Sequence, residues 1–357
     1  MLPPPTLRWD LFCRVVDNHG DAGVCWRLAR ELAQHGHTVR LVMDDTSPLA
    51  WMAGDGAPGV EVLSWPGPAE AGDVVIEAFG CDPPAPFVHA MAARGPAPVW
   101  INLEHLSAQS YVERSHGLPS PQPNGLTKWF FYPGFTERTG GLLRHAALTQ
   151  ARSRFDGEAW LAARGHARRP GETVVSLFCY ENPALPQLLA HLAQQPTLLL
   201  LTPGHAQRQV TEAPAGVRLV RLPLLSQDEF DHLLWSCDLN FVRGEDSLVR
   251  ALWAAAPFVW QAYPQHDGAH WGKVEAMLGQ WSAPPEVAAM WRTWNGTPGS
   301  AWKNKDPGSV WPDPALAAQW RLATQAWRDR LSTQPSLATQ LRAFALAKAR
   351  LGNPTLT

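Results

Sequence analysis

The chain has 357 residues, 45% of them hydrophobic and 17% charged, with a formal net charge of -2. At ~150 residues per domain this is room for two domains with cores of their own, and the charge provides no field to hold nucleic acid or an anionic membrane surface. The five cysteines (Cys13, Cys25, Cys81, Cys179, Cys237) are odd in number, widely spread and never in a C-x-x-C pair, so they read as reduced cytosolic thiols, with neither a disulfide frame nor a zinc site indicated.

The amino terminus, Met1-Leu2-Pro3-Pro4-Pro5, lacks a basic stretch followed by an apolar run. No segment approaches the ~20 apolar residues of a spanning helix, so a cytoplasmic location is expected. Apolar runs at Leu11–Val16, Thr38–Met43, Val60–Leu63, Val74–Glu77 and Val99–Leu103 alternate with helical patterns such as Cys25–His35 and Phe87–Ala93, the βαβ signature of a parallel sheet. Between the first strand and a helix from Val24 lies Asp17-Asn18-His19-Gly20-Asp21-Ala22-Gly23, a turn loosened by glycine. Open parallel sheets place their ligands outside the carboxyl ends of the strands, so the carboxylates of Asp17 and Asp21, four residues apart in this turn, mark a candidate reaction centre.

The alternation then repeats: Thr173–Phe178, Leu185–Gln194, Thr197–Leu201, Val217–Val220, Glu229–Ser236, Leu239–Val242, Ser247–Ala255 and Phe258–Trp260. A boundary near Arg168-Arg169-Pro170-Gly171 separates an amino-terminal Rossmann-like acceptor domain (1–169) from a carboxyl-terminal nucleotide-sugar domain (170–335). The tail 336–357, helical over Ser336–Leu351, is expected to pack back on the first domain. The fold class is therefore α/β with GT-B architecture: two facing Rossmann-like domains and an interdomain cleft. That architecture serves nucleotide-sugar transferases and epimerases alike.

A second constellation closes the strand Leu239–Val242: Arg243-Gly244-Glu245-Asp246-Ser247, with a helix beginning at Asp246 or Ser247. Free N–H groups at that helix start make a diphosphate site, to which Arg243 and Arg250 are candidates to add charge-assisted bonds. Glu245 and Asp246 read equally as first-turn capping residues or as contacts to a sugar or acceptor. Phe178 and Tyr180 read either as core aromatics or as a slot for the base. Tyr263, Gln265 and Asp267, after the next strand, are candidates to reach ribose and sugar hydroxyls. Pro133–Thr136 and Thr139–Gly141 read as a flexible loop over the cleft. Eighteen tryptophans are many for this length. Trp281, Trp291, Trp294, Trp302 and Trp311, in a Gly/Pro/Asn-rich region, read either as packing of a surface layer or as a sugar or partner contact.

Four long strings in order, W-D-L-F-C-R-V-V-D-N-H-G-D-A-G-V-C-W-R-L-A-R (from Trp9), F-F-Y-P-G-F-T-E-R-T-G-G-L-L-R (Phe130 to Arg144), S-L-F-C-Y-E-N-P (Ser176 to Pro183) and C-D-L-N-F-V-R-G-E-D-S-L-V-R-A (Cys237 to Ala251), resemble the EarP family of protein-arginine rhamnosyltransferases, which modify bacterial elongation factor P. The resemblance implies an inverting enzyme that moves rhamnose from dTDP-β-L-rhamnose to an arginine without metal or cofactor. It implies Asp21 as general base, Asp17 as the group that orients the guanidinium or holds Asp21, and Glu245 as a third catalytic carboxylate. Phe178, Tyr180, Arg243, Asp246, Ser247, Tyr263, Gln265 and Asp267 would line the donor side. The partners implied are elongation factor P and the nucleotide sugar, with no nucleic acid and no membrane. His19 and Gln261 depart from the pattern, which has an aromatic residue and His there. No D-x-D triplet or H-E-x-x-H string suggests a metal. Two other readings remain: a sugar-nucleotide epimerase, and a non-catalytic binding protein for elongation factor P.

Overall fold

The computed structural model describes residues 6–16, 20–300 and 312–352; Asp17, His19, Trp302 and Trp311 lie outside the described residues. The chain divides into two compact units, Met1–Ala146 with Gln334–Thr357, and Ala147–Thr333.

The first unit contains β1 (Arg8–Cys13), β2 (Thr38–Met43), β3 (Val60–Ser64), β4 (Val74–Ala78), β5 (Val99–Leu103), β6 (Pro119–Pro121) and β7 (Thr127–Phe131). They form one sheet in the order β3-β2-β1-β4-β5-β7-β6, parallel except for the antiparallel edge strand β6. β4 and β5 are buried at every position, as expected of parallel strands covered on both faces. β1 starts three residues before the apolar run and ends at Cys13 rather than Val16. The run misplaces it because Asp10 is a fully buried charge, satisfied by Arg40 Nε and the Gly72 N–H, each at 2.6 Å. β6 (Pro-Ser-Pro) carries two prolines and β7 opens on the polar Thr127 and Lys128, so neither reads as a strand in the sequence. Helix α1 (Gly20–Gln34) buries Cys25, Trp26, Leu28, Ala29 and Leu32 against the sheet. The helix Leu337–Gly352 places Leu337, Ala338, Leu341 and Ala345 in the same core.

The second unit contains β8 (Thr173–Leu177), β9 (Thr197–Leu201), β10 (Val217–Arg221), β11 (Leu239–Arg243) and β12 (Phe258–Gln261), all parallel, in the order β10-β9-β8-β11-β12. Residues 147–169 join this unit rather than the first. Leu161 of the helix Gly157–Ala163 packs in the core with Val174 and Leu233, and Gly157 sits so close to Ser236 that a Cβ would come within 2.9 Å of its Cα. The Arg168–Gly171 stretch is therefore a helix-to-strand turn inside a unit. There the Glu172 carboxylate takes the Arg218 fork at 2.7 and 2.9 Å, which holds its pKa down at about 2.

A carboxylate with a depressed folded pKa stabilises above its ordinary range and ceases to as pH falls through the folded value. Glu172→Gln is therefore expected to lower the unfolding temperature at pH 7, with the difference from the parent fading between about pH 4.5 and about 2. Thermal scans across that window check it, and a pH-independent difference would contradict it. Trp281 and Trp291 are buried around Phe258 and Trp294 is buried against Phe241, with Trp281 also stacked on Trp327 of the helix Pro314–Ser332, so these three are packing residues.

In each unit the strand order reverses beside the first strand, between β1 and β4 and between β8 and β11. Such switch points leave a crevice outside the strand ends.

Candidate functional site

At the first switch point the chain leaves β1 at Cys13 and enters α1 at Gly20, earlier than the Val24 start read from sequence. Asp21 therefore stands in the first turn of a helix, where a negative charge is favoured by the exposed N–H groups. Its side chain is 7% exposed, and Oδ2 accepts the Val16 N–H at 3.0 Å, fixing the carboxylate across the strand-to-helix connection. Beneath it, the Cys25 thiol is held well above its ordinary pKa by the hydrogen bond with Cys13, by burial and by the nearby Asp21 charge, so it stays a thiol. All five cysteines are buried and unpaired by disulfides.

Pro133–Thr136 and Thr139–Gly141, read as a flexible loop over the cleft, pack within the first unit. Phe135 and Thr139 are buried, and Gly140 donates to the Tyr132 carbonyl at 2.7 Å. A Cβ at Gly140 would strike the Phe131 ring at 2.2 Å. Arg144 ties the segment to both neighbours, its N–H to Glu31 Oε2 and its guanidinium to the Gln334 carbonyl.

At the second switch point β11 ends on Arg243, and the helix Gly244–Ala254 starts at once on Gly244, whose φ of +68° is a conformation that L side chains resist. The Ser247 hydroxyl accepts the Arg243 N–H at 3.1 Å and donates to the Arg243 carbonyl. That hydroxyl is spent on the main chain. What the serine leaves for an anion is its place in the first turn. Glu245 and Asp246 also lie in this turn, half-buried, and the N-cap residue is Arg243.

The Arg243 guanidinium carbon lies 4.5 Å from the Phe178 ring centroid and 4.3 Å from that of Tyr180. The two aromatics thus hold an arginine, through cation–π contact, rather than forming an empty slot. Phe178 rests edge-on against Phe230, and Tyr180 against the half-exposed Tyr263 at 5.3 Å. Two glutamines hold the Tyr180 backbone: Gln261, noted in the sequence as a departure from the family pattern, and Gln209, which sequence reasoning did not select. Gln261 Oε1 accepts the Tyr180 N–H at 2.9 Å, and Gln209 Nε2 donates to the Tyr180 carbonyl at 3.0 Å. His205, also unselected, lies 3.9 Å from Glu181; burial and then the Arg243 charge lower its pKa, keeping the ring neutral. Burial pushes the Cys179 thiol up to about 12 against the pull of Arg243.

Three sequence candidates have other work. Arg250 is 2% exposed and makes a two-pronged pair with Asp231, Nε to Oδ1 at 2.7 Å and the second prong at 2.5 Å, so it is not available to a phosphate. Asp267 is exposed and accepts the Ala269 N–H at 3.0 Å, starting the helix Ala269–Leu278. The main-chain N–H of Gln265 goes to His270 Nδ1 in the same helix start, and its side-chain oxygen is buried with no hydrogen-bond partner among the described residues. No group of three or more His, Cys, Asp or Glu side chains suited to a metal occurs among the described residues, and no helix among them is long and apolar enough to cross a membrane.

Over residues 9–346 the chain matches the family described as Elongation-Factor P (EF-P) rhamnosyltransferase EarP. It is 45% identical to a protein-arginine rhamnosyltransferase of Pseudomonas putida, covering 94% of this chain and 98% of that one. It is 35% identical to one of Neisseria meningitidis, covering 96% and 98%. Among solved structures it is similar to EarP, from work on EarP-mediated arginine glycosylation of translation elongation factor EF-P. That likeness has a TM-score of 0.62 at 32% identity over 95% of this chain and 98% of that chain. The spinosyn rhamnosyltransferase SpnG, solved with thymidine diphosphate, shares the fold at a TM-score of 0.51 and 14% identity over 94% and 99%. The two Rossmann-like units are those of the GT-B glycosyltransferases.

Proposed function

Because the chain belongs to the EarP family of protein-arginine rhamnosyltransferases, we propose that it transfers L-rhamnose from dTDP-β-L-rhamnose, with inversion, to a guanidinium nitrogen of one arginine in elongation factor P. The observation that carries the donor half of this reading is Arg243, clamped between Phe178 and Tyr180 at the start of the helix Gly244–Ala254. An aromatic-braced guanidinium at the first turn of a helix, the end at which the helix dipole favours an anion, is a receptor for diphosphate. The acceptor half rests on Asp21, a carboxylate fixed at a strand end in the other unit.

A guanidinium is protonated at neutral pH and its lone pairs are delocalised, so it attacks only if it sheds a proton as the bond forms. In the proposed step the nitrogen bonds to the anomeric carbon, the bond from that carbon to the diphosphate oxygen breaks, and Asp21 takes the proton. Asp17 orients the guanidinium or Asp21. Glu245 supports the positive charge that builds on the sugar. Arg243 and the helix start receive the charge of the departing diphosphate, a task that in other enzymes falls to a metal, so no metal is required. The reaction uses no cofactor and takes place in the cytoplasm, where elongation factor P acts.

The test is the intact mass of elongation factor P after incubation with the protein, dTDP-β-L-rhamnose and EDTA. Addition of one deoxyhexose to one arginine supports the reading. An acceptor left unmodified by folded enzyme both with and without EDTA overturns the transferase proposal, and activity that disappears only when EDTA is present overturns the metal-free part. Arg243→Lys is expected to weaken dTDP binding and slow transfer by about 10²-fold or more, since an ammonium cannot lie flat between two rings and fork to a diphosphate. Titration with dTDP and turnover measurements check this; a loss below about tenfold would place the diphosphate elsewhere.

A further inference from the structure

At the carboxyl ends of β4 and β5, next to β1 in the sheet, the first unit carries a group of residues that the reaction described above does not use. Glu104 follows the last residue of β5, its N–H donating to the Phe131 carbonyl at 2.9 Å, and it is half-buried. Other carboxylates of this unit have cations: Asp10 has Arg40, Asp73 has Arg94, Glu77 has Lys128, and Glu113 has Arg138. Glu104 makes no ion pair among the described residues, and the side-chain partner of its Oε1 is the neutral Asn102 amide at 2.8 Å. An ionised carboxylate has about four acceptor positions, so that one bond leaves most of its capacity open.

The surroundings of Glu104 are aromatic. Tyr132 follows the last residue of β7 and meets Tyr111 edge to face at 5.9 Å, and its phenol is held above its ordinary pKa by burial and by the charge of Glu104. Phe79, immediately after β4, has φ +58°, a left-handed backbone that is an outlier for a bulky residue. Such conformations persist where the surroundings impose them, and they collect at functional sites. Here the Phe79 N–H donates to the Leu103 carbonyl at 2.7 Å, and the ring stacks on the exposed His105 imidazole, centroids 4.4 Å apart and planes 12° apart.

We propose that Glu104 is the carboxylate that binds the acceptor guanidinium, with the stacked Phe79 and His105 rings and Tyr132 as the flat walls of its receptor. A planar cation with five donors is matched by a two-oxygen acceptor on its edge and π faces on its flat sides. Glu104 thereby binds the group whose proton Asp21 removes, β1 and β5 being two strand spacings, about 10 Å, apart. This inference rests on the acceptor being an arginine, as proposed above.

Glu104→Gln is the decisive variant, because glutamine still offers an oxygen to the Asn102 amide and removes only the charge. It should raise KM for elongation factor P by about tenfold or more, the worth of a charge-assisted bond, while KM for dTDP-β-L-rhamnose and the unfolding temperature stay unchanged. Glu104→Asp should restore part of the loss. Phe79→Gly suits the left-handed backbone and removes the ring, and it should raise the acceptor KM in the same way. An acceptor KM within about twofold of the parent in Glu104→Gln overturns the proposal. If the parent protein does not modify elongation factor P, the functional reading fails separately. Glu104 is then judged by NMR titration with N-acetyl-L-arginine amide against its neutral citrulline analogue. Preference for arginine that Glu104→Gln abolishes supports the receptor; equal binding, or none, overturns it.

Discussion

Asp21→Asn is expected to lower the rate of arginine transfer by about 10²–10⁴-fold, the usual worth of a positioned general base. Asparagine is nearly isosteric, and its side-chain oxygen can still accept the Val16 N–H that anchors the carboxylate, so the start of α1 should survive the change. What is lost is the negative charge and the capacity to take a proton. Affinity for dTDP should be unaffected, because Arg243 and the helix Gly244–Ala254 belong to the other unit. The expected signature is therefore a collapse of kcat with an unchanged dTDP titration curve and unchanged circular dichroism. A rate within about tenfold of the parent would remove Asp21 from the role of base.

The second large effect concerns stability. Arg250→Met should destabilise the second unit by about 3–5 kcal/mol, because it leaves Asp231 buried and without the cation that both its oxygens engage. The double variant Arg250→Met with Asp231→Leu should recover most of that loss, since an apolar pair of similar volume replaces a buried ion pair at little net cost. It should also recover transfer activity. Denaturant titration reads the first outcome and turnover the second. A well-folded double variant that remains inactive would return Arg250 to the diphosphate site and contradict the pairing as its whole function.

The different fates of the two arginines of R-G-E-D-S-L-V-R show where sequence reasoning stopped. Arg243 and Arg250 looked equivalent, both basic and both close to a helix start. One lies between two aromatic rings contributed by the end of β8, and the other is turned into the core towards the helix Gln227–Ser236. Nothing local distinguishes them, because the deciding partners, Phe178, Tyr180 and Asp231, are distant in sequence. Glu104 went unselected for the related reason that a single Glu after a buried strand has no pattern. Its interest comes from having no ion pair among the described residues, which is a property of its neighbours. Asp21 was set in a loop, because Gly20 and Gly23 read as breakers although the helix runs through both.

The amino-acid sequence by itself determined the alternating strands and helices of two Rossmann-like units, the turns at the ends of β1 and β11, and the family. These are legible because parallel strands buried on both faces must be apolar throughout and amphipathic helices must repeat near 3.6 residues, both being periodicities of adjacent residues. Only the tertiary structure decided that residues 147–169 belong with the second unit. The same holds for the burial of Trp281, Trp291 and Trp294, for the seating of Arg243 on Phe178 and Tyr180, and for Glu104 making no ion pair among the described residues. Each of these depends on a partner brought close by the fold, and burial raises the value of a charge or ring contact far above what its local sequence can signal.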